Sequence, residues 1–147
     1  MISGTTDLAL ALANDLRPIV LRVARELRKE TEQFGVTSRQ VTLLWLVKQS
    51  PGLTLRALAE AEAISAPALS GHIDRLERAG LLVRVRSAVD RRRVGLELTP
   101  EGERLLRSVR ERRTAWLAER LNGLEPEAQR AIEEAIEPLR ELLGQAP

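Results

Sequence analysis

The sequence has no cysteine, a single histidine (His72) and only three aromatic side chains among 147 residues. Without sulfur there can be no disulfide, no thiolate metal site and no thiol redox switch. The lone histidine has no second ligand type at metal spacing. The chain also has no nucleophile with a base partner and no glycine-rich phosphate loop after a strand. We therefore expect no metal, no cofactor and no enzyme activity.

Long hydrophobic runs are missing as well. No uninterrupted apolar stretch approaches the roughly 18 residues of a membrane helix, and the N-terminus lacks a basic region followed by an apolar core. We therefore expect a cytoplasmic protein without a membrane partner. Because aromatics are scarce, Leu, Val, Ile and Ala must fill the core, which favours helices. A composition of 44% hydrophobic and 30% charged residues is that of a globular chain.

The basic charge is concentrated in one window. Between Asp74 and Arg93, seven arginines accompany three acidic residues and give a formal charge of +4, whereas the rest of the chain sums to −2. Such a local cationic surface is typical of a nucleic-acid-binding face. A solvated charged face is the alternative.

The N-terminal part of the chain predicts a long helix. Apolar residues recur at three- and four-residue steps from about Asp7 to Glu32, the spacing of one amphipathic helix. Pro18 lies inside it and should kink it or divide it into two abutting helices. At 1.5 Å per residue this helix would be roughly 40 Å long. That length exceeds a small domain, so part of its apolar stripe should need another chain.

Cap residues predict the remaining helices. The caps and their helices are Thr37 with Gln40 for 38–48, Thr54 for 55–62, Ser65 for 66–79, Thr99 for 100–122, and a last helix over 126–143 with a bend at Pro138. The second and third of these, joined by a short turn, are typical of a helix-turn-helix. Gly80 ends the third helix just before the next segment.

The segment after Gly80 predicts a β-hairpin. Apolar residues occupy every second position on both sides of a polar tip, which is the pattern of two strands with one apolar face. We expect one apolar face that consists of Val83, Val85, Val94, Leu96 and Leu98. The tip carries three adjacent arginines, which a soluble fold has no reason to place together unless they meet something negatively charged.

A helix end that runs straight into a strand, an acid followed by two arginines at the hairpin tip, and a Leu-Thr-x-x-Gly motif at a fixed distance form a specific combination. The residues concerned are Leu53, Thr54, Leu58, Ala59, Leu69, Ser70, Asp74–Leu82, Arg84, Asp90–Arg92 and Leu98–Gly102. On these residues the chain resembles the MarR family of bacterial transcriptional regulators.

The resemblance implies a mainly α-helical fold with a small β-hairpin. Residues 1–36 would form an N-terminal dimerisation helix, 37–100 a winged helix-turn-helix lobe, and 101–147 the C-terminal dimerisation helices. It further implies a homodimeric regulator, most simply a repressor, that binds a pseudo-palindromic operator in double-stranded DNA. A small amphipathic or aromatic effector would release it.

In a protein of this design the helix after Ser65 enters the major groove, where the N-terminal side chains reach the bases. The expected recognition residues are Ser65, Ala66, Pro67, Ala68, Ser70, Gly71, His72 and Arg75. The first six cannot make a bidentate contact, and family members often carry arginine where this chain has Gly71. We therefore expect part of the specificity to come from the wing and from DNA shape. His72 either faces the DNA or packs under the helix.

For the hairpin, or wing, the resemblance implies that Asp90 pairs with Arg92 and holds it toward the minor groove. A narrow minor groove concentrates negative potential, and a preorganised arginine loses less entropy on binding. The alternative is an exposed ion pair worth at most about 1 kcal/mol that serves only the turn. The expected DNA-contacting residues of the wing are Arg86, Asp90, Arg91, Arg92 and Arg93.

Further candidates lie outside these two elements. Backbone N–H groups and charge at helix starts can contact phosphates, which points to Ser38, Arg39, Thr54 and Arg56. Small ligands of similar regulators bind between the DNA-binding lobe and the dimer helices, so Trp45 and Trp116 are candidates for a ligand pocket, with plain core positions as the alternative.

A protein-binding module is the competing function, because the winged-helix fold also serves as an interaction platform. The wing arginines distinguish the two functions. Substitution of Arg92 should weaken duplex binding and flatten its salt dependence only if DNA is the partner.

Overall fold

The computed structural model describes residues 4–144 and confirms a mainly α-helical winged-helix fold with a small antiparallel sheet. In chain order, the elements in this range are α1 (Asp7–Lys29), a 3-10 turn (Glu32–Phe34), α2 (Ser38–Gln49), β1 (Leu53–Thr54), α3 (Leu55–Glu62), α4 (Ala66–Arg78), β2 (Leu82–Arg86), β3 (Val94–Leu98), α5 (Pro100–Asn122) and α6 (Pro126–Leu142). The chain forms two compact units, the first ending at Arg112 and the second beginning at Arg113.

Helix α1 continues through Pro18 without a break, so the division into two abutting helices is not observed. Its start is capped by Thr6, whose Oγ1 accepts a hydrogen bond from the Ala9 N–H at 3.1 Å. The helix ends three residues before the predicted Glu32 because a 3-10 turn follows it. Gly35 then adopts a left-handed conformation with φ of 73°, which glycine allows without strain.

Helix α2 begins with a complete capping box. Thr37 Oγ1 accepts from the Gln40 N–H at 3.1 Å, and Gln40 Oε1 accepts from the Thr37 N–H at 3.0 Å. These bonds satisfy two N–H groups that a helix start otherwise leaves without partners. The core of the first unit then consists of Val41, Leu43, Leu44, Val47, Leu58, Leu69, Ile73, Leu76, Leu82, Leu96, Leu106 and Val109.

The sheet has three strands in the order β1-β3-β2, one more than the predicted hairpin. In β1, Leu53 and Thr54 pair with Leu96 and Gly95 of β3. Two residues are too short for a period-two pattern, so no signal along the chain predicted this strand. Gly95 permits the close pairing, because a Cβ there would lie 2.6 Å from the carbonyl oxygen of Gly52.

The inner face of the wing differs from the prediction. Val83 and Val85 lie on the outer face and are exposed, while Leu82 and Arg84 lie on the inner face, with Arg84 opposite Leu96. The expectation that both valines face inward was wrong because β2 is shifted by one residue, which exchanges its two faces. The complete burial of Leu82 fixes this register.

The second unit contains the end of α5 and the whole of α6. Helix α6 has no buried residue and continues through Pro138 without a break. Within the described part of this unit, up to residue 144, the exposed large apolar side chains are Leu124, Ile132, Ile136, Leu139, Leu142 and Leu143. From Ile132 to Leu142 they recur at three- and four-residue steps, which is an amphipathic pattern.

Candidate nucleic-acid interface

Helix α4 is anchored in the core on one side and open to solvent at its N-terminal end. Ser65 caps it by accepting a hydrogen bond at Oγ from the Ala68 N–H at 3.3 Å. Residues 65–68 are exposed and residues 70–72 are half-buried. The anchoring residues are Leu69, Ile73 and Leu76. The helix therefore offers its N-terminal turn to a partner without disturbing the core.

The guanidinium of Arg75 folds back along α4 toward Gly71. Arg75 Nη2 lies 3.3 Å from His72 Nδ1, and a Cβ at Gly71 would lie 3.8 Å from the same arginine nitrogen. Residues four apart on a helix are neighbours. Because Gly71 has no side chain, the space beside it is free for the guanidinium of Arg75. Arg75 thus carries a planar charged group about one turn toward the exposed end of the helix.

His72 supports this arrangement. Its pKa lies below the ordinary value of 6.5, because of partial burial and then because of the positive charges of Arg75 and Arg39. The neutral ring can accept a hydrogen bond at Nδ1 from Arg75, which the protonated ring cannot. The sequence left open whether His72 packs or faces a partner. In the structure the ring is half-buried and contacts Arg75.

Arg84 joins the wing to α4. Its Nη1 donates to Glu77 Oε1 at 2.6 Å, and its Nη2 donates to Asp74 Oδ1 at 2.8 Å. The Arg84 N–H also donates to Glu77 Oε2 at 3.3 Å. The hydrogen bond to Asp74 is the main reason why the pKa of Arg84 is raised. No role of its own was predicted for Arg84, because the alternation in β2 placed Arg84 on the outward face.

The wing tip is held by two short polar side chains. Ser87 Oγ accepts from the N–H groups of Val89 and Asp90, each at 3.2 Å. Asp90 Oδ1 accepts from the Arg92 N–H at 3.0 Å. Side chains that bond to backbone two or three residues further on are typical of tight turns. The tip therefore has a defined turn conformation.

The role of Asp90 differs from the expected one. Among the ion pairs found in residues 4–144, none joins Asp90 to the guanidinium of Arg92. The carboxylate instead bonds to the backbone of Arg92, because an N–H two residues on lies within reach of an aspartate in a turn. Arg91, Arg92 and Arg93 are all exposed. Arg86 donates from Nη1 to the Arg91 carbonyl at 3.2 Å and so supports the tip.

The four residues considered for phosphate contacts lie at helix starts, as expected. Ser38 is the first residue of α2, and Thr54 caps α3. Arg39 Nη1 lies 3.5 Å from Glu62 Oε2 at the end of α3. Arg56 Nε lies 3.4 Å from the carboxylate of a glutamate one turn further along α3. Both ion pairs are solvent-accessible, so each arginine can exchange its carboxylate for a phosphate at small cost.

The two tryptophans occupy separate units. Trp45 is an exposed residue of α2, and Trp116 lies in α5 with the Arg120 guanidinium carbon 3.7 Å from its ring centroid. Cavities of about 490 Å³ between α3 and α4 and about 540 Å³ between α1 and α2 are lined by other residues. A ligand-binding role for either tryptophan stays a prediction.

Residues 4–144 offer no cluster suited to a metal, since no group of three or more His, Asp or Glu side chains in this range could hold such an ion. Over the same part of the chain, no helix combines the length and the apolar composition needed to cross a membrane.

The sequence model that defines the MarR family matches residues 36–94 of this chain. An uncharacterized HTH-type transcriptional regulator from Mycobacterium leprae is 31% identical over 136 residues, which cover 92% of this chain and 95% of that protein. The HTH-type transcriptional repressor MdtR from Bacillus subtilis is 30% identical over 112 residues, 76% of this chain and 72% of MdtR. A Staphylococcus aureus MepR mutant bound to an oligodeoxyribonucleotide shares the fold, with a TM-score of 0.70 and 23% identity over 89% of this chain and 96% of that chain.

A helix-turn-helix followed by an arginine-tipped wing defines the class of winged-helix transcriptional regulators. Within that class, the chain belongs to the MarR family. Its relatives are transcriptional regulators and not enzymes, so the prediction of a regulator without enzymatic activity is confirmed.

Proposed function

We propose that the chain is a homodimeric repressor that inserts α4 into the major groove and the wing into the minor groove of a pseudo-palindromic DNA operator. The observation that carries the proposal is the linkage of these two elements by Arg84, which bonds to Asp74 and Glu77 of α4 from the base of the wing. A helix and a hairpin held together this way can meet adjacent grooves as one body.

In the major groove, the small side chains of residues 65–68 let the helix approach the bases closely. Ser65 and Ser70 can make single hydrogen bonds, and Arg75 is the residue able to make a bidentate contact to guanine, worth about 1–3 kcal/mol of discrimination. We assign Arg75 this contact because its guanidinium already lies over Gly71. His72 keeps it there through the hydrogen bond at Nδ1.

In the minor groove, Arg92 is the inserted residue, with Arg91 and Arg93 on the flanking phosphates. All three are exposed, and in residues 4–144 none of their guanidiniums takes part in an ion pair. Positive charge without an internal partner favours narrow, A·T-rich grooves, where the potential is most negative. Asp90 and Arg86 support these contacts by shaping the turn.

The dimer is formed by the terminal segments, residues 1–36 and 101–147, with 37–100 as the DNA-binding lobe. Residues 1–3 and 145–147 of these segments lie outside the described residues. Helices α1 and α6 have no buried residue, and large apolar side chains of both are exposed. A two-fold axis through such an interface would place two recognition helices roughly 34 Å apart, one turn of DNA.

Regulation follows from that spacing. A small amphipathic or aromatic effector that favours another separation of the two α4 helices would lower the DNA affinity, and DNA would lower effector affinity by the same factor. The similarity to MdtR, which is named a transcriptional repressor, supports repression as the direction of control. The protein would act in the cytoplasm, where its operator lies.

The test is a salt-dependent titration of the protein with duplex DNA from immediately upstream of its own gene. We expect a steep slope and a strong preference over unrelated sequence. Arg92→Ala should flatten the slope by about 0.9 for each phosphate that a protomer no longer neutralises, while the control Arg130→Ala removes an exposed charge from α6. Unchanged affinity of Arg92→Ala for every duplex would favour the protein-interaction module instead.

A further inference from the structure

Helices α1 and α2 border a cationic cleft that lies outside the recognition helix and the wing. It has a volume of about 540 Å³. Its charged lining consists of Arg25, Arg28, Lys29 and Glu32, and Ser38 lies at its edge on α2. Three cations against one carboxylate give this α1–α2 cleft a positive potential that favours an anion.

Two of the three cations are available to a partner. Arg25 and Arg28 are exposed, and neither takes part in an ion pair or a side-chain hydrogen bond that the structure describes within residues 4–144. Lys29 differs, since its Nζ lies 3.1 Å from Glu26 Oε1. A cation in the last turn of a helix stabilises the negative end of the dipole. That role explains Arg28 but not Arg25, which lies one turn earlier.

The turn between the two helices creates the cleft. Gly35, at φ of 73°, reverses the chain after the 3-10 turn, and Thr37 caps α2 immediately afterwards. Arg112 of α5 holds the end of α1 through a 2.8 Å bond from Nε to Glu30 Oε2. The arginines of α1 therefore stand on a fixed helix end rather than on a loose segment.

Arg39 relates the α1–α2 cleft to the proposed DNA-binding face. Arg39 follows Ser38 of the cleft directly and reaches Glu62 at the end of α3 with a separation of 3.5 Å. The positive charge of Arg39 also acts on the ring of His72 in α4. Arg39 thus follows the cleft residue Ser38 in sequence and lies within electrostatic reach of His72 on the recognition helix.

We infer that the α1–α2 cleft binds a phosphodiester group of the DNA backbone through Arg25 and Arg28, outside the contacts made by α4 and the wing. The inference rests on the proposed function and extends the DNA footprint of each protomer by one phosphate. The contact is independent of base sequence, since it reaches only the backbone. It adds affinity and positions the lobe without reading a base.

The experiment measures duplex affinity against salt for the dimer carrying Arg25→Ala with Arg28→Ala. Because each protomer then neutralises one phosphate fewer, the slope of log K against log salt should flatten by about 1.8. Between about 50 and about 200 mM salt, the affinity of the variant should therefore fall about twelve-fold less than that of the unsubstituted protein. Arg25→Lys with Arg28→Lys keeps both charges and should keep the slope.

The matched control is Arg22→Ala with Arg130→Ala, which removes the same charge from exposed positions outside the cleft. Thermal unfolding and sedimentation verify that each variant folds and dimerises. A slope unchanged in the cleft variant but flattened by Arg92→Ala would overturn the inference and leave the proposed function intact. No duplex binding by the unsubstituted protein would overturn both.

A second arm separates DNA phosphate from a free anion. Inorganic phosphate is titrated calorimetrically into the DNA-free protein. Suppose that phosphate binding is lost in the Arg25→Ala, Arg28→Ala variant while the salt slope of its duplex affinity is unchanged. That result would assign the cleft to a small anion and would overturn the inference. A flattened slope without binding of inorganic phosphate would support the DNA backbone as the ligand.

Discussion

Thr99 Oγ1 donates a 2.6 Å hydrogen bond to the carbonyl oxygen of Gly80 and so ties the start of α5 to the end of the recognition helix. The same hydroxyl accepts from the Gly102 N–H at 3.0 Å, which caps α5. The Thr99 N–H donates to the Leu81 carbonyl at 3.2 Å. One threonine therefore fixes both the loop that leaves α4 and the helix that follows the wing, which gives the Leu-Thr-x-x-Gly motif a physical reason.

Gly102→Ala should destabilise the protein strongly. A Cβ at this position would lie 2.1 Å from the carbonyl oxygen of Leu81, a backbone atom that cannot turn aside as a flexible side chain can. We expect a loss of at least about 2 kcal/mol in the free energy of unfolding, as for overpacked sites. Urea unfolding of the dimer at a fixed protein concentration measures it.

Gly71→Ala is the control for that substitution. It also places a methyl group in a helix, but the new Cβ would meet only the end of Arg75 at 3.8 Å. Alanine in a helix interior is favoured over glycine by about 0.5–1 kcal/mol, so this variant should be more stable than the parent. Equal stability of the two variants would show that the close approach at Gly102 has no energetic consequence.

Arg84→Met should loosen the wing from α4. The substitution keeps most of the side-chain volume but leaves Asp74 and Glu77 without their common partner. Because the site is partly exposed, we expect a loss of only about 1–2 kcal/mol in the free energy of unfolding, together with weaker operator binding. Arg56→Met breaks an almost fully exposed pair and should cost less than about 0.5 kcal/mol. A similar loss from both variants would contradict a special role for Arg84.

The helices were predictable because their determinants are local. Thr37 with Gln40 and the cap residues Thr54 and Ser65 make the predicted hydrogen bonds, and Gly80 ends the recognition helix with φ of 75°. Each signal involves residues at most four apart, so a pattern along the chain contains all of it. The fold class followed from the order of these elements.

The wing was predicted less well because its details depend on distant partners. The inward position of Arg84 follows from the register that the burial of Leu82 fixes, and carboxylates on α4 provide its partners. Alternation in β2 alone suggested the opposite face for Val83 and Val85. Asp90 had two acceptable partners, the guanidinium and the backbone N–H of Arg92, and the sequence does not rank them. In the structure, Ser87 holds the turn in which the Asp90 carboxylate bonds to the backbone N–H of Arg92.

Asp90→Asn and Asp90→Ala distinguish these two partners by experiment. Asparagine keeps an oxygen that can accept from the Arg92 N–H, so the turn and the affinity for duplex DNA should persist. Alanine removes the acceptor, and we expect binding to weaken by about 1 kcal/mol, the value of a typical hydrogen bond. Both variants lose the same negative charge, which makes them a matched pair. An equal loss of affinity in both would restore the ion pair as the working contact.

The stability of the protein should fall below neutral pH in a manner that depends on His72. Its pKa in the folded chain lies under the ordinary value of 6.5 because of burial and the charges of Arg75 and Arg39. The unfolded chain therefore binds a proton first as the pH falls. This contribution to stability is complete above the unfolded pKa and is lost as the pH drops through the folded one.

His72→Gln tests that pH dependence. Glutamine does not titrate, so the variant should lose less free energy of unfolding than the parent between about pH 7.5 and about pH 5.5, while the carboxylates that titrate in both proteins cancel in the comparison. Urea unfolding at the two pH values gives the difference. Protonation also removes the acceptor for Arg75 at Nδ1, so operator specificity should decline over the same range in the parent only. Parallel stability curves for the two proteins would contradict the lowered pKa.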